Sequence, residues 1–232
     1  MLLKQKLARG EVVTMLNPDH PSPSLVEFIG GLGVDAIFID CEHGMAGPER
    51  VQEMCRAARL AGVVPVVRPE AHQPWLVTRY LDAGAGGVMV PHIDTAEDAR
   101  QLVATVRNAD AAAVLIVVLL ESTLALDNLP SILGVEGIDV FFVGPGDLSK
   151  SLGLPGQRFH PQVRSRVEAA GRTIVAAGKV AGTLVRSDNA ADYVNAGFRF
   201  LYEHANALLA ESVRRFVVSL APVAAASTAP PA

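Results

Sequence analysis

Two cysteines among 232 residues, Cys41 and Cys55, are too few for a disulfide framework, and no CxxC spacing marks a zinc or redox site. Both are expected as reduced thiols. Charge is also scarce: 19% of the residues are Asp, Glu, Lys or Arg, with a formal net charge of -4 and the two signs interspersed. That leaves no concentrated cationic face for nucleic acid or anionic lipid, so neither partner is expected. Long hydrophobic runs are missing too. The longest, Ala111 to Leu120, is too short to span a bilayer, and the opening Met1-Leu-Leu-Lys-Gln-Lys lacks the apolar core of a signal peptide. A cytoplasmic protein is the expectation. There is no GxxxxGK[ST] phosphate loop.

What is present is apolar: half of the residues, 50%, enough for one sizeable core and expected as a single domain over residues 1–220. Residues 221–232, dominated by Ala, Pro, Ser and Thr, are expected as a disordered tail. Short β-branched runs recur at Glu11–Leu16, Asp35–Ile39, Val63–Val67, Gly87–Val90, Ala113–Leu120, Asp139–Val143, Val180–Val185 and Phe198–Tyr202. Their continuous hydrophobicity suits strands covered on both faces, as in a parallel sheet. Between them lie helix-like segments such as Glu49–Ala61, Ala96–Arg107, Pro161–Ala177 and Ala190–Ala196. Strand and helix alternate, which leaves a closed barrel or an open doubly wound sheet. Eight strand candidates favour the (β/α)8 barrel. Gly30–Gly33 and Gly84–Gly87 precede strands instead of following them, the wrong context for a dinucleotide fingerprint.

In such a barrel the carboxyl ends of the strands converge on one rim. Strand two ends in Phe38-Ile-Asp-Cys-Glu-His43, strand three in Val66-Val-Arg-Pro69, strand five in Leu119-Leu-Glu-Ser122 and strand six in Phe142-Val-Gly-Pro-Gly-Asp-Leu-Ser149. Each ionisable group there has two readings. Asp147 is a metal ligand or a helix cap. Glu121 is a metal ligand or the structural partner of Arg68, since a buried carboxylate needs a partner. Asp40 and His43 are a catalytic pair or a satisfied hydrogen-bonded pair. Separate structural readings leave unexplained why all of these groups fall at the same end of their strands.

Those strand ends carry a resemblance. Ile39-Asp-Cys-Glu-His43, Val66-Val-Arg-Pro69, Val88-Met-Val-Pro91 with Ala96-Glu-Asp-Ala99, Leu120-Glu-Ser122, Leu129-Pro-Ser-Ile132 and Val143-Gly-Pro-Gly-Asp-Leu-Ser149 resemble, nearly end to end, the metal-dependent pyruvate aldolases of the HpcH/HpaI family. The resemblance implies a barrel of the phosphoenolpyruvate/pyruvate superfamily type. It implies that Glu121 and Asp147 hold a divalent cation, Mg²⁺ or Mn²⁺ with Co²⁺ as a further candidate, which polarises a 2-oxo acid. Arg68 would then contact the keto oxygen. Gly144, Pro145 and Gly146, with Asp147, would line the substrate carboxylate. His43, oriented by Asp40, would move the proton of the hydroxyl at the bond being broken. The implied substrates are pyruvate and an aldehyde, and the implied assembly is a hexamer built as a trimer of dimers, with the stretch Ala205–Leu220 as a helix at the subunit contact.

The sequence also departs from that family. A Pro-Pro-x-Gly-x-Arg-Gly stretch between strands four and five is missing, Leu119 stands where many members carry glutamine, and strand eight ends in Tyr202-Glu-His204 instead of small residues. No lysine occupies a strand-end motif, and neither Lys150 nor Lys179 is placed like a Schiff-base nucleophile. Glu42, Glu70, His72 and His92 fall near the same rim without an assignable role. Two rivals to the aldolase remain: an acyl-CoA lyase of the malyl-CoA or citramalyl-CoA type, and a non-catalytic barrel that binds an oxo acid.

Overall fold

Each strand is four to six residues long and almost wholly buried, so its backbone groups must pair within the sheet and its side chains must be covered on both faces. The computed structural model, which describes residues 3–109 and 111–227, meets both demands by closure. Eight parallel strands, β1 (Val13–Asn17), β2 (Ala36–Asp40), β3 (Val64–Arg68), β4 (Gly87–Val90), β5 (Leu115–Leu120), β6 (Val140–Val143), β7 (Ala181–Leu184) and β8 (Phe200–His204), run in sequence order around a barrel that closes by pairing β8 with β1. The helices are α1 (Leu3–Ala8), α2 (Pro23–Gly30), α3 (Pro48–Leu60), α4 (Pro74–Asp82), α5 (Ala96–Asn108), α6 (Thr123–Asp127), α7 (Leu129–Leu133), α8 (Pro145–Ser151), α9 (Pro161–Ala176), α10 (Ala190–Asn195) and α11 (Ala205–Ser227). The (β/α)8 barrel expected from the alternation is the observed fold.

Alternation along each strand sorts the core into two layers. Met15, Phe38, Val66, Met89, Phe142 and Phe200 point into the barrel, while Ile37, Ile39, Val67, Val88 and Val118 pack outward under the helices. Large rings inside a small barrel need small neighbours. A Cβ on Gly182 of β7 would stand 2.9 Å from Phe142 and 2.9 Å from the Phe200 carbonyl oxygen, so β7 passes this point only as glycine. Leu3 and Leu7 of α1 join the inner cluster from the amino-terminal end of the barrel. Lys6 and Lys4 tie α1 down through Asp35 at 2.6 Å and Asp139 at 3.0 Å. The opposite rim receives the loops after the strands.

Cys41 and Cys55 are buried free thiols, and burial pushes both up to about 12, so neither supplies a thiolate. No helix among the described residues is long and apolar enough to cross a membrane.

Most strand ends differ from the sequence reading by one or two residues, and two of the differences bear on the rim and on the carboxyl-terminal helix. Strand eight was expected at Phe198–Tyr202 but forms at Phe200–His204. Phe198 is apolar because it fills the space between α9 and α10, with its ring 5.1 Å from Tyr193 and pressed on Gly171, and the strand begins after it. The shift brings Glu203 and His204 onto the strand. Helix α11 continues past Leu220 to Ser227, into the stretch expected as a tail, and residues 228–232 lie outside the described residues.

Gly171 supplies a test of this packing. A Cβ there would fall 2.0 Å from the Phe198 ring. Gly171→Ala is expected to cost about 1–3 kcal/mol by overpacking, a fall of roughly 2–4 °C in Tm for each kcal/mol. Thermal melts of Gly171→Ala alone and combined with Phe198→Leu check it, the double variant regaining stability over the single.

Candidate active site

Parallel strands deliver their carboxyl ends to one rim, and there the polar residues withheld from the core collect. Arg68 ends β3 beside Asp40, which ends β2, because the two strands are paired in that register. The guanidinium grips Asp40 with Nε at 2.9 Å and Nη2 at 2.7 Å, and its Nη1 lies 2.9 Å from Glu42 Oε2. Burial disfavours the ionised form of Asp40, but the Arg68 contacts outweigh it and hold the carboxyl below the usual range. Asp40 also accepts the backbone N–H groups of Glu42 and His43. The turn is tight: a Cβ on Gly44 would stand 2.0 Å from the Asp40 carbonyl oxygen.

This arrangement changes the role expected for Asp40. Its carboxylate is occupied by Arg68 and two backbone donors, so it fixes the His43 backbone and not the imidazole. The His43 ring, more than half exposed, instead places Nε2 3.8 Å from Asp147 Oδ2.

Glu121 follows β5 directly and is 4% exposed. Its Oε1 accepts the His92 backbone N–H at 3.1 Å and lies 3.3 Å from His92 Nδ1. His92 reaches this position with a φ of +57°, a left-handed conformation that costs a non-glycine residue energy and aims its N–H at the carboxylate. Its Nε2 lies 3.0 Å from Glu42 Oε1. Burial pushes the Glu121 carboxyl up to about 8, opposed by the His92 hydrogen bond and reinforced by the negative charges of Glu42 and Asp147. Ser122, next in the chain, caps α6 by accepting the Ala125 N–H at 2.9 Å and donates to Asp94, which fixes the backbone at Glu121.

Asp147 lies on α8, the helix that follows β6. Burial opposes its ionisation too, but Lys150, with Nζ at 2.6 Å, more than compensates and holds the carboxyl below its ordinary value. Gly144, where β6 gives way to α8, must be glycine for a packing reason: a Cβ would meet Leu119 at 3.0 Å and Glu121 at 3.2 Å. Around Gly146 there is open space. A cavity of about 200 Å³ unites these groups; Asp40, His43, Arg68, Glu121, Gly144 to Asp147, Tyr202 and His204 all line it.

Two residues now stand closer to Glu121 than the sequence could place them. Glu42, His92 and Glu121 each present one ligand atom, and all three atoms lie within 4.8 Å of one another. Glu42 Oε2, although paired in charge with Arg68, makes no well-directed hydrogen bond. A cation among these groups would relieve the repulsion on Glu121 and engage the Glu42 oxygen that lacks a hydrogen bond. The donor set thus fits a divalent ion. Signals for it existed in Glu42 and His92 at strand ends, but their convergence needed the barrel. Glu70 is taken up by the Tyr80 hydroxyl at 2.9 Å, a structural contact.

A parallel barrel with carboxylates converging at its carboxyl rim defines the class of protein. Residues 14–203 match the family described as HpcH/HpaI aldolase/citrate lyase, and the chain belongs to that family. It is 36% identical over 207 residues to a 2-keto-3-deoxy-L-rhamnonate aldolase of Escherichia coli (strain K12), covering 78% of each chain. Among solved structures it is similar to an HpcH/HpaI aldolase/citrate lyase family protein from Burkholderia cenocepacia J2315, with 32% identity and a TM-score of 0.84 over 94% of this chain and 98% of the other. It is also similar to the citrate synthase SbnG, with 27% identity and a TM-score of 0.83 over 98% and 99%.

The raised Glu121 carboxyl sets a pH dependence. Between 4.5 and about 8 the folded state holds a proton that the unfolded state, with the ordinary value of 4.5, has released. Stability of the metal-free protein therefore falls as pH rises from 4.5 to about 8. A cation competes with that same proton. Apparent Mn²⁺ affinity is expected to rise by at least about tenfold per pH unit below pH 8, with Glu121→Gln lowering the affinity and flattening the slope near pH 8. Calorimetric titration across that range checks it.

Proposed function

We propose that the protein is a metal-dependent class II aldolase that cleaves a 4-hydroxy-2-oxo acid to pyruvate and an aldehyde and runs the reverse addition. The observation that carries this reading is the buried Glu121 carboxylate, crowded by Glu42 and Asp147 and facing the same cavity as Arg68. Glu121 and Asp147 would hold the cation, with Glu42 and His92 as neighbouring ligands. An imidazole in the shell moves the preference from Mg²⁺ towards Mn²⁺ or Co²⁺. When bound, the ion supplies a Lewis acid at the keto oxygen, where negative charge builds as the carbon-carbon bond breaks.

The remaining work falls to side chains of this chain. Arg68, held rigidly by Asp40 and Glu42, offers its charge to the same keto oxygen. Gly144 and Gly146 leave room for the substrate carboxylate against the backbone. His43 takes the proton of the 4-hydroxyl; its exposed ring returns that proton to solvent. Lys150 pairs with Asp147 through a side chain 60% exposed, which would leave Asp147 free to serve as a ligand if the lysine turned into water. The exposed apolar residues of α11, Leu209, Val213 and Phe216 among them, support a homo-oligomer such as the hexamer of the same reading.

One observation favours the acyl-CoA lyase as a second reading. Arg158 and Arg186 both stack on Phe159, at 5.4 Å and 5.3 Å, and Arg158 lines the cavity, a cationic flank that an anionic substrate tail could meet. The deciding experiment is a Mn²⁺-supplemented assay of pyruvate against a panel of aldehydes, read by product mass, beside a titration with CoA. Products with aldehydes and no CoA binding are expected. Glu121→Gln should lower cleavage by about 10²–10³-fold, as should exhaustive chelation, with Mn²⁺ restoring the chelated wild type. Cleavage that survives both treatments defeats the aldolase reading.

A further inference from the structure

On the rim formed by β8 and β1, away from Glu121, an imidazole is oriented by a carboxylate in the way expected of His43 and Asp40. His204 Nδ1 lies 2.5 Å from Asp19 Oδ1, and its Nε2 lies 3.1 Å from the Tyr202 hydroxyl. The Tyr202 oxygen accepts from Asn17 Nδ2 at 3.0 Å. Asn17 cannot turn round, because its Oδ1 accepts the Asp19 backbone N–H at 2.8 Å. Asp19 is fixed in turn: Asn206 donates its backbone N–H to Oδ2 at 2.8 Å, and the residue is held at a φ of +61°. Strand pairing sets the whole group, since Asn17 is in register with His204 across β1 and β8.

The chain of donors has a direction. Asp19 only accepts, so His204 donates through Nδ1 and, when neutral, accepts the Tyr202 O–H at Nε2. When the ring is protonated, Nε2–H donates to the Tyr202 oxygen, and the phenolic hydrogen turns into the cavity. Tyr202 lines the same cavity as Arg68 and Glu121. Its ring meets Phe38 edge-on at 5.0 Å and Phe142 at 6.1 Å, and the Arg68 guanidinium lies 5.5 Å over Phe38. Burial raises the phenol above its ordinary value, which keeps it a neutral donor.

Aldol cleavage needs two proton transfers. One removes the 4-hydroxyl proton; the other supplies C3, which keeps the electron pair of the broken C3–C4 bond. Resting on the aldolase reading, we propose that Tyr202 delivers the proton to C3 and that His204, held by Asp19, replaces it. The O–H bond of Tyr202 breaks as the C3–H bond forms, Nε2–H of His204 reprotonates the phenolate, and solvent reprotonates His204. His43 releases the hydroxyl proton to solvent, so the sum consumes none. In the addition direction neutral His204 takes the phenolic proton at Nε2 as the Tyr202 oxygen withdraws a proton from the pyruvate methyl group, and the ring then releases its extra proton to solvent.

The two transfers can be read apart. Exchange of a ¹³C-labelled aldehyde, the one selected by the pyruvate panel, into its hydroxy-oxo acid needs C3–C4 cleavage but no proton at C3. Deuterium entry into the methyl group of pyruvate, with Mn²⁺ in D₂O, needs the proton at C3 alone. Tyr202→Phe and His204→Gln are expected to retain Mn²⁺ and pyruvate binding and aldehyde exchange, while methyl exchange falls by about 10²-fold or more and net cleavage falls with it. Asp19→Asn removes the charge that orients His204 while leaving an oxygen for the Asn206 N–H, and should shift the pH profile of methyl exchange. Wild-type methyl exchange in Tyr202→Phe overturns the proposal. So does a parallel loss of both exchanges and of Tm in all three variants, the mark of a structural pin between β1 and β8. A wild-type protein that performs neither exchange overturns the aldolase reading itself.

Discussion

Glu121 loses water on folding and gains neighbours of its own sign, and in isolation that combination would force it to stay protonated. What surrounds it is intelligible as compensation. The His92 N–H reaches it through a strained backbone, Ser122 anchors the turn that follows, and Gly144 gives up a side chain so that the carboxylate keeps its place. Arg68 contributes charge from a short distance but is bound to Asp40 and Glu42, so it does not close the site by sitting on Glu121. The imbalance left over is what a divalent ion would neutralise.

The barrel makes this concentration of charge tolerable. The inner layer of Phe38, Phe142 and Phe200 carries the packing, and α1 joins it from the amino-terminal end, so the carboxyl rim bears little of the structural load. The rim then divides. The ends of β2, β3, β5 and β6 bring Arg68 and the acidic groups together, while β8 and β1 contribute the ordered chain from Asn17 through Tyr202 and His204 to Asp19. Both halves open onto one cavity.

Relatives in this family bear names as different as 2-keto-3-deoxy-L-rhamnonate aldolase and citrate synthase. Membership therefore fixes a frame and not a substrate. On the half of the rim formed by β8 and β1, Asn17, Tyr202, His204 and Asp19 form a continuous hydrogen-bonded chain, while the other half leaves Glu42 Oε2 without a well-directed partner.

Eight β-branched runs separated by helical segments determined the barrel, because parallel strands covered on both faces must be apolar throughout and a closed sheet of eight satisfies every backbone group. The strand ends bearing Asp40, Arg68, Glu121 and Asp147 were legible for the same reason: a polar residue at the end of a buried strand has nowhere to go but the rim. Partner choice was not legible. Sequence adjacency suggested that Asp40 orients the His43 ring, but pairing of β2 with β3 put Arg68 beside Asp40 and gave the carboxylate a charged partner instead. His92 and Glu42 joined Glu121, and Asp19 joined His204 across 185 residues, only because closure of the barrel sets neighbours by register and not by distance along the chain.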